Sequence, residues 1–151
     1  NSVAQWQRIN AIAGVLLFMA ALLPFVMMRG WWSRPPRPVL LVICWGIAVA
    51  CVSHAFIGIA QRLLSLTGIL VISYPFWETI DPRQADLQAL LFNEPWFMIE
   101  GVLWGVIAWN GALSSSPRRS WWVGSALAAI AALACIGLLS SFGVIGRVIV
   151  G

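Results

Sequence analysis

Long apolar runs alternate along the chain with shorter polar segments. Four of these runs approach or exceed the roughly 20 residues that a helix needs to cross a bilayer. They cover residues 9–28, 38–60, 95–113 and 121–146. The pattern predicts one all-α transmembrane domain over residues 1–151, with no room for a separate soluble domain. We expect a polytopic membrane four-helix bundle with a long extracytoplasmic loop between helices 2 and 3.

Composition indicates the same class of protein. Hydrophobic residues make up 61% of the chain and charged residues only 9%, whereas a soluble domain is about one-quarter charged. The mean hydropathy is +0.90. The first apolar run ends in VMMRGWW, which lacks the small-x-small pattern of a signal-peptide cleavage site. We therefore expect that run to remain as a transmembrane helix.

The basic residues predict an orientation. A net charge of +4 and a pI near 9.8 could suggest nucleic-acid binding, but arginines occur mainly in two loops. These are Arg29, Arg34 and Arg37 in the first loop and Arg118 and Arg119 in the third. The positive-inside rule places both loops in the cytoplasm. We expect a protein of the bacterial plasma membrane with both termini extracytoplasmic and no nucleic-acid partner.

The second loop, residues 61–94, is the only long connection predicted between spans. Residues 62–77 are apolar but too interrupted to span the bilayer, so an extension of the second helix, an interfacial placement and a re-entrant placement all stay open. Asp81 is a candidate helix N-cap and Pro82 suits the first helical position. Three leucines share one side of that predicted short interfacial helix: Leu87, Leu90 and Leu91.

The cysteines argue against redox and metal chemistry. Cys44, Cys51 and Cys135 all fall inside predicted spans without a C-x-x-C motif, which disfavours a thiol oxidoreductase that uses this motif and predicts free thiols. Cys51 and His54 share a helix face, but two ligands are too few for a closed zinc site. We expect no metal and no cofactor. Ligation of a haem or chlorophyll by His54 stays an alternative, although no second axial ligand is visible.

His54 is the only histidine, and Glu100 is the only acidic residue inside a predicted span. A charge in hydrocarbon costs on the order of 3 kcal/mol or more, so such residues normally face a partner or a cavity. The two residues are predicted at similar depth on antiparallel helices. We expect a hydrogen bond between them, directly or through one water. The pair either holds two helices together or forms the polar end of a ligand pocket.

Aromatic residues near this pair are candidates for ligand binding, because pockets for small molecules are commonly lined by aromatic side chains with a few polar groups. They are Trp104, Trp96, Phe97, Phe56 and Trp77. The same residues also fit an interfacial aromatic belt, Trp77 and Trp96 most of all.

The order of these motifs resembles a known family. An intramembrane histidine after Cys-Trp, a loop with Asp-Pro, the sequence EPWF and an intramembrane glutamate are similar to the EXPERA superfamily over about residues 40–110. That superfamily includes emopamil-binding-protein-like and sigma-2-receptor-like membrane proteins. The resemblance implies a membrane-embedded pocket for sterols or cationic amphiphiles, with isomerase activity in some members. It also implies His54 as proton carrier or polar anchor, Glu100 as acid and Trp104 as a cation-stabilising ring.

The chain departs from this family in two respects. The isomerases place a second acid one turn after the histidine, where this chain has Gly58. Only one span follows the acidic helix here, and an extra span precedes the histidine helix.

The sequence favours a protein that binds an isoprenoid or lipid-like ligand between helices 2 and 3. If it is an enzyme, we expect it to isomerise or cyclise that ligand. Glu100 would be the catalytic acid and His54 its catalytic partner. Protonating an alkene needs an acid that stays neutral until it is used, and aromatic faces stabilise the resulting cation. The alternative is a non-catalytic accessory subunit of a larger membrane complex. A transporter is disfavoured because few polar residues line the spans.

The expected partners are a membrane lipid or a hydrophobic small molecule. A homodimer and a larger membrane complex are both compatible with the sequence.

Overall fold

In this computed structural model, the described residues are 36–72, 81–110 and 117–144, together with six helical residues between positions 8 and 19. The chain divides into two compact units, Asn1–Pro36 and Arg37–Gly151. Within the described ranges all regular secondary structure is helical, which confirms the all-α class. The predicted first span, residues 9–28, lies outside the described residues, apart from five of those six.

The second unit contains four α-helices and one π-helical segment among its described residues. They are α1 (Arg37–Leu66), α2 (Pro82–Gln88), the π segment (Ala89–Asn93), α3 (Glu94–Ala108) and α4 (Arg119–Ser141). The elements from α2 to α3 follow one another without a break. They form one helical stretch.

Three stretches of the described chain are long and apolar enough to cross a membrane: Pro38–Leu66, Pro82–Ala108 and Arg119–Ser141. They correspond to the second, third and fourth predicted spans, and they are consistent with an integral membrane protein. The four-helix bundle and the extracytoplasmic placement of the second loop stay predictions, because most of the first span is not described.

The second loop is shorter than predicted, and its first part extends the second helix, which was one of the three placements left open. The helix α1 continues to Leu66 instead of ending at residue 60, and the next helix begins at Pro82 instead of residue 95. The connection is therefore limited to residues 67–81, of which 73–80 lie outside the described residues. The prediction had assigned the charged residues between these two spans to the loop. Three of them are instead helical and buried: Arg62, Asp86 and Glu94.

The predicted start of the helix after this connection is confirmed. The side chain of Asp81 accepts a hydrogen bond of 2.9 Å from the backbone N–H of Arg83, and Pro82 lies in the first turn. Proline suits this position because the first helical N–H groups have no partner within the helix. The helix does not stop after a few turns, as a separate interfacial helix would, but continues into α3.

Helix α1 packs against both other long helices. It runs antiparallel to α3, because Arg62 meets Asp86 near one end and Gly101 lies against Val52 further along. It runs parallel to α4, because Trp45 contacts Trp122 and Gln61 contacts the later Ser141.

Two glycines allow these close helix contacts. A Cβ atom on Gly101 would lie 2.6 Å from a methyl group of Val52, and one on Gly137 would lie 2.6 Å from Ile57. Small residues let helices approach closely where lipid supplies no hydrophobic force between them. Gly105, the second glycine of the G-x-x-x-G pair, has no atom within 4 Å of such a Cβ, so only Gly101 forms the contact.

Candidate functional site

Polar and charged side chains are buried together near the C-terminal end of α1. We define the polar cluster as these residues, of which all but His54 and Ser65 are buried: His54, Gln61, Arg62, Ser65, Asp86, Glu94 and Ser141. The exposed fraction is 0% for Gln61 and 1% for Glu94. Lys, Arg, Asp and Glu are almost never fully buried without partners, so each contact in this cluster is informative.

The sequence of α1 brings its share of the polar cluster onto one side. His54, Gly58, Gln61, Arg62 and Ser65 follow one another at spacings of three, four or one. Residues three or four apart lie on the same face of an α-helix. This face is directed toward the acidic residues of the neighbouring helical stretch.

The buried face of α3 is interrupted by the π segment. The buried positions within α3 are 94, 101, 104 and 108. Their spacings of seven, three and four residues are those of one face of an α-helix. Continued toward the N-terminus as an α-helix, that repeat would bury positions 87 and 90. The buried residues are instead Asp86 and Ala89.

The π segment explains this shift by one residue. A π turn holds more residues than an α turn and acts as a one-residue bulge. In an unbroken α-helix Asp86 and Glu94 would lie about 80° apart around the axis. With the extra residue absorbed at Ala89–Asn93, both carboxylates face α1. Bulges of this kind occur frequently at functional sites.

Asp86 is fully partnered. Its carboxylate lies 3.1 Å from an amino nitrogen of Arg62, and both side chains are about 4% exposed. The hydroxyl of Ser65 donates a hydrogen bond of 2.6 Å to the second oxygen of the same carboxylate. Buried charges are stable only when paired and hydrogen-bonded in this way. This pair therefore fixes α1 against α2.

A second polar contact joins α1 to α4. The side-chain amide of Gln61 donates a hydrogen bond of 2.7 Å to the hydroxyl of Ser141. That hydroxyl in turn donates to the backbone carbonyl of Gly137, also at 2.7 Å. Together with the Arg62–Asp86 pair, this chain of hydrogen bonds holds three helical elements together around one end of α1.

Glu94 is bonded less completely. Its Oε2 atom lies 3.9 Å from Nε2 of His54, and the side chains are 2% and 28% exposed. That distance is within ion-pair range but exceeds a hydrogen bond. Oε2 is buried and has no hydrogen-bond partner within the part of the chain that the structure describes. Arg62 lies close enough to act electrostatically on both His54 and Glu94.

Gly58 makes room for the Glu94 carboxyl group. A Cβ atom at Gly58 would overlap all three atoms of that carboxyl. Because Gly58 lies one turn after His54 on α1, the carboxyl group occupies the space beside the imidazole. The absence of a side chain at position 58 is thus a requirement of this site.

Among the described residues His54 meets Glu94, which corrects the predicted direct hydrogen bond to Glu100; a contact with Glu100 through one water stays a prediction. No hydrogen bond or ion pair joins His54 to Glu100 among the described residues. Glu100 lies near Cys51 instead, on which it acts electrostatically. The prediction had placed His54 and Glu100 at the same depth by counting from the predicted ends of their spans. Both helices extend beyond those ends, so the count was misplaced. The resulting register places His54 beside Phe97, one turn from Glu100.

The predicted ligand-binding aromatics have different locations. The rings of Phe97 and His54 lie 4.2 Å apart between centroids and are tilted by 45°. Trp104 is buried, whereas Trp96 is 67% and Phe56 is 52% exposed. Trp77 lies outside the described residues. Phe97 is therefore the aromatic residue in contact with the histidine, and the roles of the other four stay predictions.

Sequence reasoning missed the most buried acid. Glu94 was assigned to the loop because it precedes Pro95, yet proline in the first turn is compatible with a helix that starts earlier. Arg62 follows His54 through Gly58 in two steps of four residues, each of which joins neighbouring positions on the helix surface. That spacing, together with Asp86 as an opposite charge, is the signal that could have indicated a buried polar cluster.

No group of three or more His, Cys, Asp or Glu residues in the described ranges is arranged to hold a metal ion. The thiols of Cys44 and Cys51 are buried and that of Cys135 is exposed, and all three are free.

Comparison with known proteins gives no relative. No family model matches the chain, no curated protein matches it and no solved structure matches it. The resemblance to the EXPERA superfamily accordingly rests on the order of the motifs alone.

Proposed function

We propose that this chain is a membrane protein that binds an isoprenoid or other lipid-like molecule beside His54, with His54 and Glu94 as the acid–base pair of the site. One observation carries the proposal: a buried carboxyl oxygen of Glu94, without a hydrogen-bond partner among the described residues, faces the imidazole at 3.9 Å. Glu94 replaces Glu100 as the proposed acid, because Glu94 is the carboxylic acid next to His54.

The contrast between the two buried acids supports a functional role for Glu94. Asp86 has the guanidinium of Arg62 and the hydroxyl of Ser65 as close partners. A buried polar atom left without a partner costs about 1–3 kcal/mol. Ionisable residues retained inside membrane helices at such a cost commonly mark functional sites. Glu94 fits this description and Asp86 fits a structural role.

The difference in exposure suggests a route for a proton. The Glu94 side chain is nearly inaccessible, whereas the His54 side chain is 28% exposed. A ligand that approaches α1 from the bilayer would meet the imidazole first, and Glu94 would exchange a proton with it from behind. The ring of Phe97 beside His54 could stabilise a positive charge on the ligand through its π face.

The position of Gly58 bears on the proposed kinship with the EXPERA isomerases. Those enzymes place a second acid one turn after the histidine, and Gly58 occupies that position here. The Glu94 carboxyl group fills the space over Gly58. An acid from the neighbouring helix would therefore stand where the isomerases have one on the histidine helix. This supports related chemistry: protonation of a carbon–carbon double bond, followed by isomerisation or cyclisation.

The proposed orientation puts this site near the extracytoplasmic side of a bacterial plasma membrane. The stretch Pro38–Leu66 has 29 residues and is about 44 Å long at 1.5 Å per residue. The hydrocarbon core is about 30 Å thick. If the basic N-terminal end of α1 lies in the cytoplasm, Arg62 and Asp86 reach the outer headgroup layer. His54 is about 24 Å along α1 from Pro38, so His54 and Glu94 then lie in the outer half of the hydrocarbon.

The decisive experiment compares Glu94→Gln with Glu100→Gln. Each variant is purified in nanodiscs and labelled with a photoactivatable farnesyl probe. The amide in Glu94→Gln keeps the shape of the side chain but cannot donate an acid proton. We expect both variants to label α1 and α3 near the wild-type level, and only Glu94→Gln to lose acid-catalysed conversion of the bound probe in the dark, measured by mass spectrometry. Circular dichroism checks that both variants are folded.

Two results would contradict the proposal. One is the absence of labelling on α1 and α3 in the wild type, or conversion of the probe by Glu94→Gln at the wild-type rate. The other is stoichiometric purification with other membrane chains, with no lipid bound to α1 or α3, which would favour the accessory-subunit hypothesis.

A further inference from the structure

A cleft of about 420 Å³ is present at the N-terminal end of α4 and is lined by Arg118, Trp121 and Trp122. It lies at the opposite end of α1 from the polar cluster, because α1 and α4 are parallel. Arg118 is exposed, and Trp121 is 64% exposed. The cleft thus combines one cationic side chain with two aromatic walls.

The residues beside the cleft carry positive charge. Arg119 follows Arg118 directly, and the chain contains no Asp or Glu after Glu100. Arginine binds phosphate groups through two parallel hydrogen bonds, which a single point charge cannot do. The charge of this end is therefore complementary to a phosphate ester.

The aromatic walls are held in place by a second helix. The indole N–H of Trp45 on α1 donates a hydrogen bond of 3.3 Å to the backbone carbonyl of Trp122. The rings of these two residues meet edge to face at 6.2 Å, and Trp121 meets Trp122 at 5.0 Å and 87°. A site whose walls are already fixed loses less freedom when it binds a ligand.

The depth of the cleft identifies the source of the phosphate. It lies at the start of the apolar stretch Arg119–Ser141, where a helix leaves the headgroup layer. Tryptophan favours this layer because its ring is apolar and its N–H is polar. A lipid placed here would direct its phosphate to the arginines and its glycerol and upper acyl chain to the indole rings. A free phosphate ion would leave the indole walls unused.

We propose that the cleft binds the headgroup of an anionic phospholipid. Arg118 and Arg119 contact the phosphate, and Trp121 and Trp122 contact the glycerol and the first acyl carbons. This site is separate from the proposed isoprenoid site at the other end of α1. Its occupant is a lipid of the surrounding bilayer and is not consumed.

The test uses the whole chain in vesicles of phosphatidylcholine alone or mixed four to one with phosphatidylglycerol. Brominated phosphatidylglycerol quenches tryptophan fluorescence when it lies beside the ring. We expect stronger quenching by brominated phosphatidylglycerol than by brominated phosphatidylcholine. Since one arginine near an anionic surface contributes about fivefold in affinity, Arg118→Gln should weaken the preference about fivefold. The double variant with Arg119→Gln should weaken it further.

Arg83→Gln is the matched control, since Arg83 is also exposed but belongs to the other end of the helices. It should retain the wild-type preference. Equal quenching by both brominated lipids in the wild type would overturn the proposal. So would an equal loss of preference in Arg83→Gln and Arg118→Gln, because that result would assign the preference to net charge alone. Native mass spectrometry of the lipids retained by each folded variant gives a second readout.

Discussion

At the scale of single residues, the two buried acids of the polar cluster differ in what surrounds them. Asp86 is bound by Arg62 and Ser65, so its charge is compensated where it lies. Glu94 has the partly exposed imidazole of His54 on one side and Gly58 beneath it. A residue with satisfied partners fixes the fold, and a residue with an unsatisfied atom is available for chemistry. The first two predictions test this difference.

The Arg62–Asp86 pair should be essential to stability. Removal of one partner of a buried ion pair leaves an uncompensated charge and costs about 3–5 kcal/mol. We expect Asp86→Asn to lower the thermal unfolding midpoint strongly in detergent. The double variant Arg62→Leu with Asp86→Leu should recover much of the loss, because it buries no charge. If Asp86→Asn unfolds at the temperature of the exposed control Arg83→Gln, the pair is not structural.

Gly58 should tolerate no side chain while Glu94 is present. In Gly58→Ala the new methyl group would overlap the Glu94 carboxyl group, so α1 and α3 must separate or the carboxyl group must leave its place. Gly105→Ala is the matched control, since its Cβ would meet no atom within 4 Å. The control should be neutral, or more stable by about 0.5–1 kcal/mol. Thermal unfolding of both variants, and of Gly58→Ala in a Glu94→Ala background, is the measurement. An overlap with the carboxyl group should disappear in that background, whereas a general effect of alanine on the helix should appear in all three variants.

At the scale of elements, the π segment sets which residues of the second described helical stretch face α1. The insertion of one residue relative to an α-helix brings Asp86 and Glu94 to the same side, although they are eight positions apart. Without it, one of the two acids would point away from Arg62 or from His54. The segment is thus the local feature that assembles the polar cluster.

Deletion of Phe92 should therefore be tolerated. Phe92 is 70% exposed within the π segment, and its removal leaves Asp86 and Glu94 seven residues apart. In a regular α-helix that spacing separates them by only about 20°. We expect the deletion variant to retain near wild-type thermal stability. An alanine inserted after Phe92 should instead rotate Asp86 by about 100° and destabilise the protein as much as Asp86→Asn does. Equal stability of the two variants would show that the register is not set here.

The comparison with sequence reasoning is instructive at this scale. The apolar runs located three membrane-length stretches correctly, and Asp81 with Pro82 marked the start of a helix. The partner of His54 was predicted incorrectly because helix–helix register depends on where the helices end. Polar residues at the ends of the runs were interpreted as loop, whereas Arg62 pairs with Asp86 and Glu94 faces His54 inside the protein. A one-residue π bulge leaves no pattern in hydropathy, so its effect on Glu94 could not be anticipated.

At the scale of the whole molecule, the second unit has two chemically different ends. The N-termini of α1 and α4 share one end, where Arg118 and Arg119 are exposed and tryptophans surround a cleft. At the other end the charges of Arg62 and Asp86 neutralise each other in the interior. Among the described residues of this unit, exposed positive charge without a described acidic neighbour in sequence therefore collects at the N-termini of α1 and α4, the end that the positive-inside rule predicts to be cytoplasmic.

This asymmetry predicts which face a membrane-impermeant reagent can reach. Gln84 and Ser120 are both exposed and lie at opposite ends of the described helices. In a Cys135→Ala background, which removes the exposed thiol but keeps the buried Cys44 and Cys51, Gln84→Cys should react with an impermeant maleimide in intact cells. Ser120→Cys should react only after the membrane is permeabilised. The opposite labelling pattern would show that the protein has the opposite orientation. The His54–Glu94 site would then lie on the cytoplasmic side of the bilayer, and the cleft lined by Arg118 would lie in the outer leaflet. Such an inversion would separate Arg118 and Arg119 from the anionic lipids that are most abundant in the cytoplasmic leaflet, so the labelling also tests the physical basis of the proposed headgroup site.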